Sequence, residues 1–267
     1  MAEADDGAVR RRERPAPEAA APERPEPGAE TVGVAPTGEP ILVRRPVRRT
    51  ADLATLAAAA LVLALTWALA APGHVSSVEA SVFHAVNTLP GWLYPIVIGP
   101  MQLGSLAAVP VVALVAAIAR RWWMAVAVGS AGLAAYVVAR IVKVLVDRGR
   151  PLDELHDVVV HGARALGGGF PSGHSAVSAA IVLAAVPYLA WRWRDVLLAV
   201  PLLVAFARVY IGAHLPLDVV GGLAIGVAVA SAVHLAIGRP SLIEEELPPE
   251  EVAPPPREDE TDPMSPS

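Results

Sequence analysis

Long apolar runs separated by short charged breaks fill the middle of the chain, with polar segments at either end. Six runs stand out, at roughly 53–71, 92–118, 122–146, 172–191, 196–213 and 217–237. Each approaches or exceeds the ~20 residues that a helix needs to cross about 30 Å of hydrocarbon. The pattern therefore predicts an all-α fold, a six-transmembrane-helix bundle. The third run is long enough to tilt or to project beyond the bilayer. Pro110, Pro187 and Pro201 fall in runs two, four and five, where neighbouring groups must re-satisfy the interrupted backbone. Val75, Val78, Val82, Val86 and Leu89 recur at helical spacing among polar residues. They predict a short helix in the outer interface, read either as a plain connector or as a lid over a lipid entrance. Gly222 and Gly226 form a small-xxx-small pattern that suits either a dimer contact or packing inside the bundle.

Composition sharpens this picture at the ends. The chain is 54% hydrophobic with a mean hydropathy of +0.50. Residues 51–237 hold ten basic and eight acidic side chains, whereas residues 238–267 hold nine acidic and two basic, so the net charge of -5 comes from the C-terminal tail. A nucleic-acid partner needs a basic face, and residues 51–237 offer only short basic clusters at loop positions, so no such partner is expected. Residues 1–50, rich in Pro, Ala, Glu and Arg, and residues 238–267, with Glu244-Glu245-Glu246 and Pro254-Pro255-Pro256, cannot bury enough apolar surface to order themselves. They are expected to be disordered polar tails flanking a membrane domain at 51–237. The first apolar run starts only after about fifty polar residues, which argues against a cleaved secretory signal. With no cysteine, neither a disulfide nor a thiolate metal site is available. Arg44, Arg45, Arg48 and Arg49, then Arg120 and Arg121, then Arg192 and Arg194, fall on one side if the helices alternate. Basic flanks favour the cytoplasm, so both tails are expected there, in a multi-pass protein of the cell membrane.

On the opposite side, three polar clusters meet the ends of apolar runs. Ionisable groups at such depth are costly and usually functional. In the first, Lys143 and Arg150 are seven residues apart, two turns if the helix persists, and Pro151 then prevents simple continuation. Asp147 is spaced to pair with Lys143, Arg148 adds charge, and Arg140 lies one turn deeper without an assigned role. In the second, Gly167 to Gly169 lead into Pro171-Ser172-Gly173-His174 at the start of a run. A helix N-terminus of this kind offers unpaired N–H groups and the positive end of a dipole to an anion. Ser172 suits both a helix cap and a phosphate donor. In the third, Arg208, His214 and Asp218 surround a turn, and the four-residue spacing lets the carboxylate fix the histidine tautomer. Taken singly, each cluster has an ordinary reading: interfacial anchors, a capped helix, a structural His-Asp pair.

Together, Lys143-x6-Arg150-Pro151, Pro171-Ser172-Gly173-His174 and Arg208-x5-His214-x3-Asp218 resemble the three-part signature of the membrane-bound type 2 phosphatidic acid phosphatase family, the lipid phosphate phosphatases. The resemblance covers about residues 50–237. It implies hydrolysis of a lipid phosphate, with His214 as nucleophile, Asp218 orienting it, and His174 as acid and then base. Lys143, Arg150, Arg208, Ser172 and the Gly173 N–H would hold the phosphate oxygens. The family pattern has Ser where this chain has Ala207, which removes one hydroxyl.

Neutral His214 and protonated His174 imply a bell-shaped pH dependence. No cofactor is expected, and no metal, because clustered cations repel a divalent ion and attract phosphate. The expected partners are membrane lipids and a lipid phosphate substrate: a polyprenyl diphosphate, phosphatidic acid or phosphatidylglycerol phosphate. Transfer to a hydroxyl acceptor uses the same three clusters. A lipid transporter is the rival from another class, but its site would sit nearer the midplane.

Overall fold

A computed structural model describes residues 44–162 and 164–242. Most of the two predicted tails therefore lies outside the described residues. At their inner margins, strands β1 (Arg44–Val47) and β2 (Arg239–Leu242) pair antiparallel, with Arg44 opposite Leu242 and Val47 opposite Arg239. Buried Asp52 accepts from Arg239 Nε at 3.0 Å and forms a second, shorter contact with the same guanidinium.

Helices α1 (Thr50–Ala70), α5 (Trp122–Leu145) and α9 (Pro216–Ile237) follow runs one, three and six closely. Among the described residues, these three are long and apolar enough to cross a membrane, and a bent pair makes a fourth candidate. That pair is run two, broken rather than kinked. Its first half ends with α3 (Tyr94–Met101) and a short 3-10 turn at Gln102–Gly104, and its second half is α4 (Ala108–Ile118), inclined by 73°. Pro110 lies in the first turn of α4, where a missing N–H costs nothing. The bend comes where Gly104 packs on the His174 backbone, a place with no room for a Cβ. Runs four and five give shorter helices, α7 (Gly173–Ala185, extended by a 3-10 turn to Tyr188) and α8 (Arg194–Tyr210).

Helix α7 is the hub, packed against α5, α8 and α9 and buried on almost every face. Its all-round apolar composition suits that position. Gly222 and Gly226 of α9 meet this helix: a Cβ on Gly226 would lie 2.5 Å from both Ala176 O and Ala179 Cβ. The small-residue pattern thus serves packing within the fold.

Helix α2 (Ser77–Asn87), capped by Ser76, forms where the valine spacing predicts a helix. Its buried stripe, however, is Glu79, Phe83 and Asn87, one position away from the valines; Val78 and Val82 are exposed. They line a cavity of about 400 Å³ together with Leu69, Pro216 and Leu217. Asn87 fastens the loop that carries Val159, accepting from Val159 N at 2.8 Å and donating to Val159 O and Tyr210 O at 2.8 and 2.9 Å.

Candidate active site

Local chemistry shapes each of the three clusters. Helix α8 ends in a Schellman motif: Gly212, at φ +73°, donates to Val209 O at 3.0 Å, and Ala213 donates to Arg208 O at 3.1 Å. Glycine adopts that left-handed conformation without penalty. The turn then reverses the chain so that His214 stands beside the carboxyl end of α8. Pro216 opens α9, and Asp218 reaches back to accept from the Leu215 N–H at 2.9 Å, an N-terminal cap that also fixes its side chain. Ser172 caps α7, its Oγ accepting from Ser175 N at 3.4 Å and Ser175 Oγ at 3.1 Å. Its own O–H remains available to donate, so the cap and donor roles are compatible.

The first cluster departs from the two-turn helical spacing. Helix α5 stops at Leu145, and residues 146–150 run as irregular chain to the short helix α6 (Pro151–Glu154). Lys143 Nζ donates to Gly168 O at 2.7 Å and Gly169 O at 3.2 Å. Arg150 donates to Gly167 O, Leu166 O and Ala213 O at 2.7, 2.7 and 2.6 Å. Asp147 is exposed and makes no ion pair with Lys143, because the lysine is spent on the glycine carbonyls. Arg140 is exposed, with no hydrogen bond or ion pair among the described residues.

These contacts bring the three clusters to one end of the bundle. Arg150 ties the first to the third through Ala213 O, Lys143 ties the first to the glycines of the second, and Ser172 N donates to Asp218 O at 2.8 Å. Lys143, Arg150, Arg208 and His174 all act electrostatically on His214. His214 and Asp218 are fully buried, and His174 at the head of α7 is half-buried. His214 Nδ1 stands 3.5 Å from Asp218 Oδ2, too long and too poorly aligned for a formed hydrogen bond. Catalytic hydrogen bonds often tighten only once substrate is bound. Burial, followed by the charges of Arg208, Lys143 and Arg150, holds the His214 pKa well below the usual histidine range, so its ring is neutral at pH 7.

The cations divide sharply in their partners. Arg148, fully buried, is held by two carboxylates: Nη2 to Glu79 Oε2 at 2.6 Å and Nη1 to Asp218 Oδ1 at 2.9 Å. Lys143, Arg150 and Arg208 make no ion pair among the described residues. Arg208 is the extreme case: it is buried, its Nη1 has only Met101 Sδ at 3.7 Å, and its Nε has no partner. A buried charge without a counter-charge is expensive, and a bound anion relieves that cost. Among the described residues, no group of three His, Asp or Glu side chains is arranged to hold a metal ion. Ala207, at the position where the family pattern has Ser, is buried in an apolar cluster with Val97, Met101, Tyr210 and Ile211. Glu79 and the pairing of Arg148 were not legible in the sequence; the only hint was an acidic residue one turn into a helix otherwise read from its valines.

Residues 120–241, which contain all three clusters, match the PAP2 superfamily. Two lipid A 1-phosphatases, from Rhizobium etli and Rhizobium johnstonii, are each 36% identical over 95 residues, 34% of this chain. The match spans 40% and 38% of the length of those relatives. Among solved structures, LpxE from Aquifex aeolicus aligns with a TM-score of 0.54 at 21% identity, over 59% of this chain and 95% of that one. A transmembrane PAP2-type phosphatidylglycerolphosphate phosphatase from Bacillus subtilis aligns with a TM-score of 0.57 at 21% identity, over 67% of this chain and 94% of that one. The likeness to these two structures is one of fold. With its motifs gathered at one end of a bundle of apolar helices, the chain carries in residues 120–241 a region that matches the PAP2 superfamily, in a fold like that of a transmembrane PAP2-type phosphatase.

Proposed function

We propose that the protein hydrolyses a phosphomonoester or diphosphate of a lipid through a phosphohistidine on His214. The observation that carries this reading is the set of three cations, Lys143, Arg150 and Arg208, gathered near a neutral buried imidazole without a carboxylate of their own. Such a site favours a phosphate dianion and the further charge that develops on its oxygens during displacement. The Ser172 hydroxyl and the Gly173 N–H at the head of α7 add neutral donors.

In the first half-reaction, the Nε2 lone pair of His214 forms the N–P bond while the P–O bond to the leaving group breaks. His174 gives its proton to the departing oxygen, and Asp218 accepts from Nδ1–H and offsets the positive charge on the ring. In the second, His174 takes a proton from water, the water oxygen bonds to phosphorus, and the N–P electron pair returns to His214. Phosphate leaves, and His174 is protonated again.

Six membrane crossings and an extracytoplasmic site belong to the same reading. Basic residues flank the ends of the helices opposite the site, and run two counts as one crossing despite its 73° bend. Helices α7 and α8 then cross as shorter elements around the site, α7 buried in protein and α8 leaving Val196, Leu198 and Leu202 exposed. The relatives act by name on lipid A 1-phosphate and phosphatidylglycerol phosphate, which supports a lipid headgroup phosphate as the substrate class. The test is phosphate release by purified full-length protein from lipid A 1-phosphate, phosphatidylglycerol phosphate, phosphatidic acid and a polyprenyl diphosphate in mixed micelles. Release from at least one, lost in His214→Ala, and acid-labile label trapped on His214 are expected. No release from any of them, or unchanged release in His214→Ala, refutes the reading.

A further inference from the structure

Two fully buried charged residues take no part in the reaction just described. Glu79 lies in the first turn of α2, and Arg148 in the irregular segment after α5. Arg148 Nη1 and Nη2 donate to Glu79 Oε1 and Oε2 at 3.2 and 2.6 Å, a bidentate pair, and Nη1 also donates to Asp218 Oδ1 at 2.9 Å. Glu79 Oε1 further accepts from the Leu217 N–H at 2.9 Å, in the first turn of α9 and next in sequence to Asp218. The chain of contacts thus runs from α2 through Arg148 to Asp218, and from Asp218 towards His214 Nδ1 at 3.5 Å.

We propose that Glu79 and Arg148 are positioning residues for the His214–Asp218 pair. Resting on the reading of His214 as nucleophile, this assigns them two tasks. The first is orientation. Asp218 has Oδ1 fixed by Arg148 and Oδ2 fixed by the Leu215 N–H, so the carboxylate cannot rotate away from the imidazole. The second is charge. Glu79 and Asp218 contribute two negative charges and Arg148 one positive, leaving one net negative charge behind His214. Lys143, Arg150, Arg208 and His174 also act electrostatically on the ring. When His214 becomes a cationic phosphoimidazole, the net negative charge behind it is neutralised. Without Glu79, Arg148 would cancel Asp218 and nothing would remain to offset the ring. Arg148 by itself would therefore be harmful, which explains why two carboxylates face it. Helix α2, legible from sequence only as a connector or lid, thereby becomes part of the catalytic scaffold.

The experiment uses full-length protein in mixed micelles with whichever of the four lipid phosphates the wild type turns over fastest, and measures kcat, KM and the pH dependence of kcat. The variants are Glu79→Gln, which keeps the shape and the Leu217 contact, Arg148→Met, the double variant, and His214→Ala as reference. Glu79→Gln and Arg148→Met should lower kcat about 10-fold and about 100-fold, the range seen when outer partners of a ligating histidine are removed. KM should stay within about threefold, because the phosphate-holding cations are untouched. In Arg148→Met two carboxylates face each other with no cation between them, so the acid limb of the profile should move up by about one pH unit. The double variant again has one net negative charge, so its kcat should equal or exceed that of Arg148→Met. Losses that multiply in the double variant, an acid limb that stays in place, or kcat unchanged in both single variants while His214→Ala is dead, would overturn the relay alone. A wild type without turnover, or an active His214→Ala, would remove the underlying reading and the relay with it.

Discussion

Replacing Asp218 by Asn is the most demanding test of the site, because the geometry leaves the amide no good orientation. Both oxygens of Asp218 face donors: Arg148 Nη1 stands 2.9 Å from Oδ1, and the Leu215 N–H stands 2.9 Å from Oδ2. Whichever way the Asn side chain turns, its NH2 group meets one of these donors, and no water can relieve the clash at a residue that is 0% exposed. A hydrogen bond to a charged group contributes about 1.5–3 kcal/mol, and removing one partner of a buried ion pair costs about 3–5 kcal/mol. Arg148 keeps Glu79, so the loss of stability should fall near the lower end, about 2–4 kcal/mol.

Activity should suffer more. Losing the carboxylate that orients a catalytic imidazole typically lowers kcat on the order of 10³ to 10⁴, or about 4–5.5 kcal/mol at 1.36 kcal/mol per decade. The assay is phosphate release at saturating lipid phosphate in mixed micelles, with thermal unfolding in the same detergent as a check on folding. A folded Asp218→Asn variant with kcat within tenfold of wild type would refute the reasoning, since the carboxylate would then neither orient His214 nor offset its charge.

Three further outcomes follow from the same geometry. The folded state holds His214 neutral while the unfolded chain takes up a proton as pH falls through about 6.5, so the unfolded state binds more protons and stability is lost on acidification below that pH. Thermal unfolding between pH 7 and 5 should show this slope, and His214→Gln should flatten it; an unchanged slope in that variant would assign the protons elsewhere. Gly226→Val places atoms where Ala176 O and Ala179 Cβ already sit, and overpacking of this kind should cost about 1–3 kcal/mol, read as a lower unfolding temperature with no change in oligomeric state by light scattering. Arg150→Ala removes three carbonyl contacts that join the glycine loop to the turn after α8, as well as one phosphate-holding cation. It should raise KM and also lower kcat/KM by about 10² to 10³, so a change in kcat alone would argue against a binding role.

The sequence by itself determined which stretches are apolar helices and which residues make up the three polar motifs at their ends. Runs one, three and six became α1, α5 and α9 to within a few residues, because twenty apolar residues in a row leave the backbone no better way to satisfy its polar groups. The motif residues were also legible, since cations, glycines and histidines at the ends of apolar runs are rare without a purpose. Tertiary structure decided how those residues are used. Arg148 and Arg150, two positions apart, look interchangeable as sequence, yet one is buried between two carboxylates and the other spans three carbonyls. The break in run two, the buried face of α2 with Glu79 on it, and the choice of α7 as the partner of Gly222 and Gly226 share one physical origin. Each depends on what stands opposite in space, and a pattern along one chain fixes the period of a helix but not the neighbour that its face will meet.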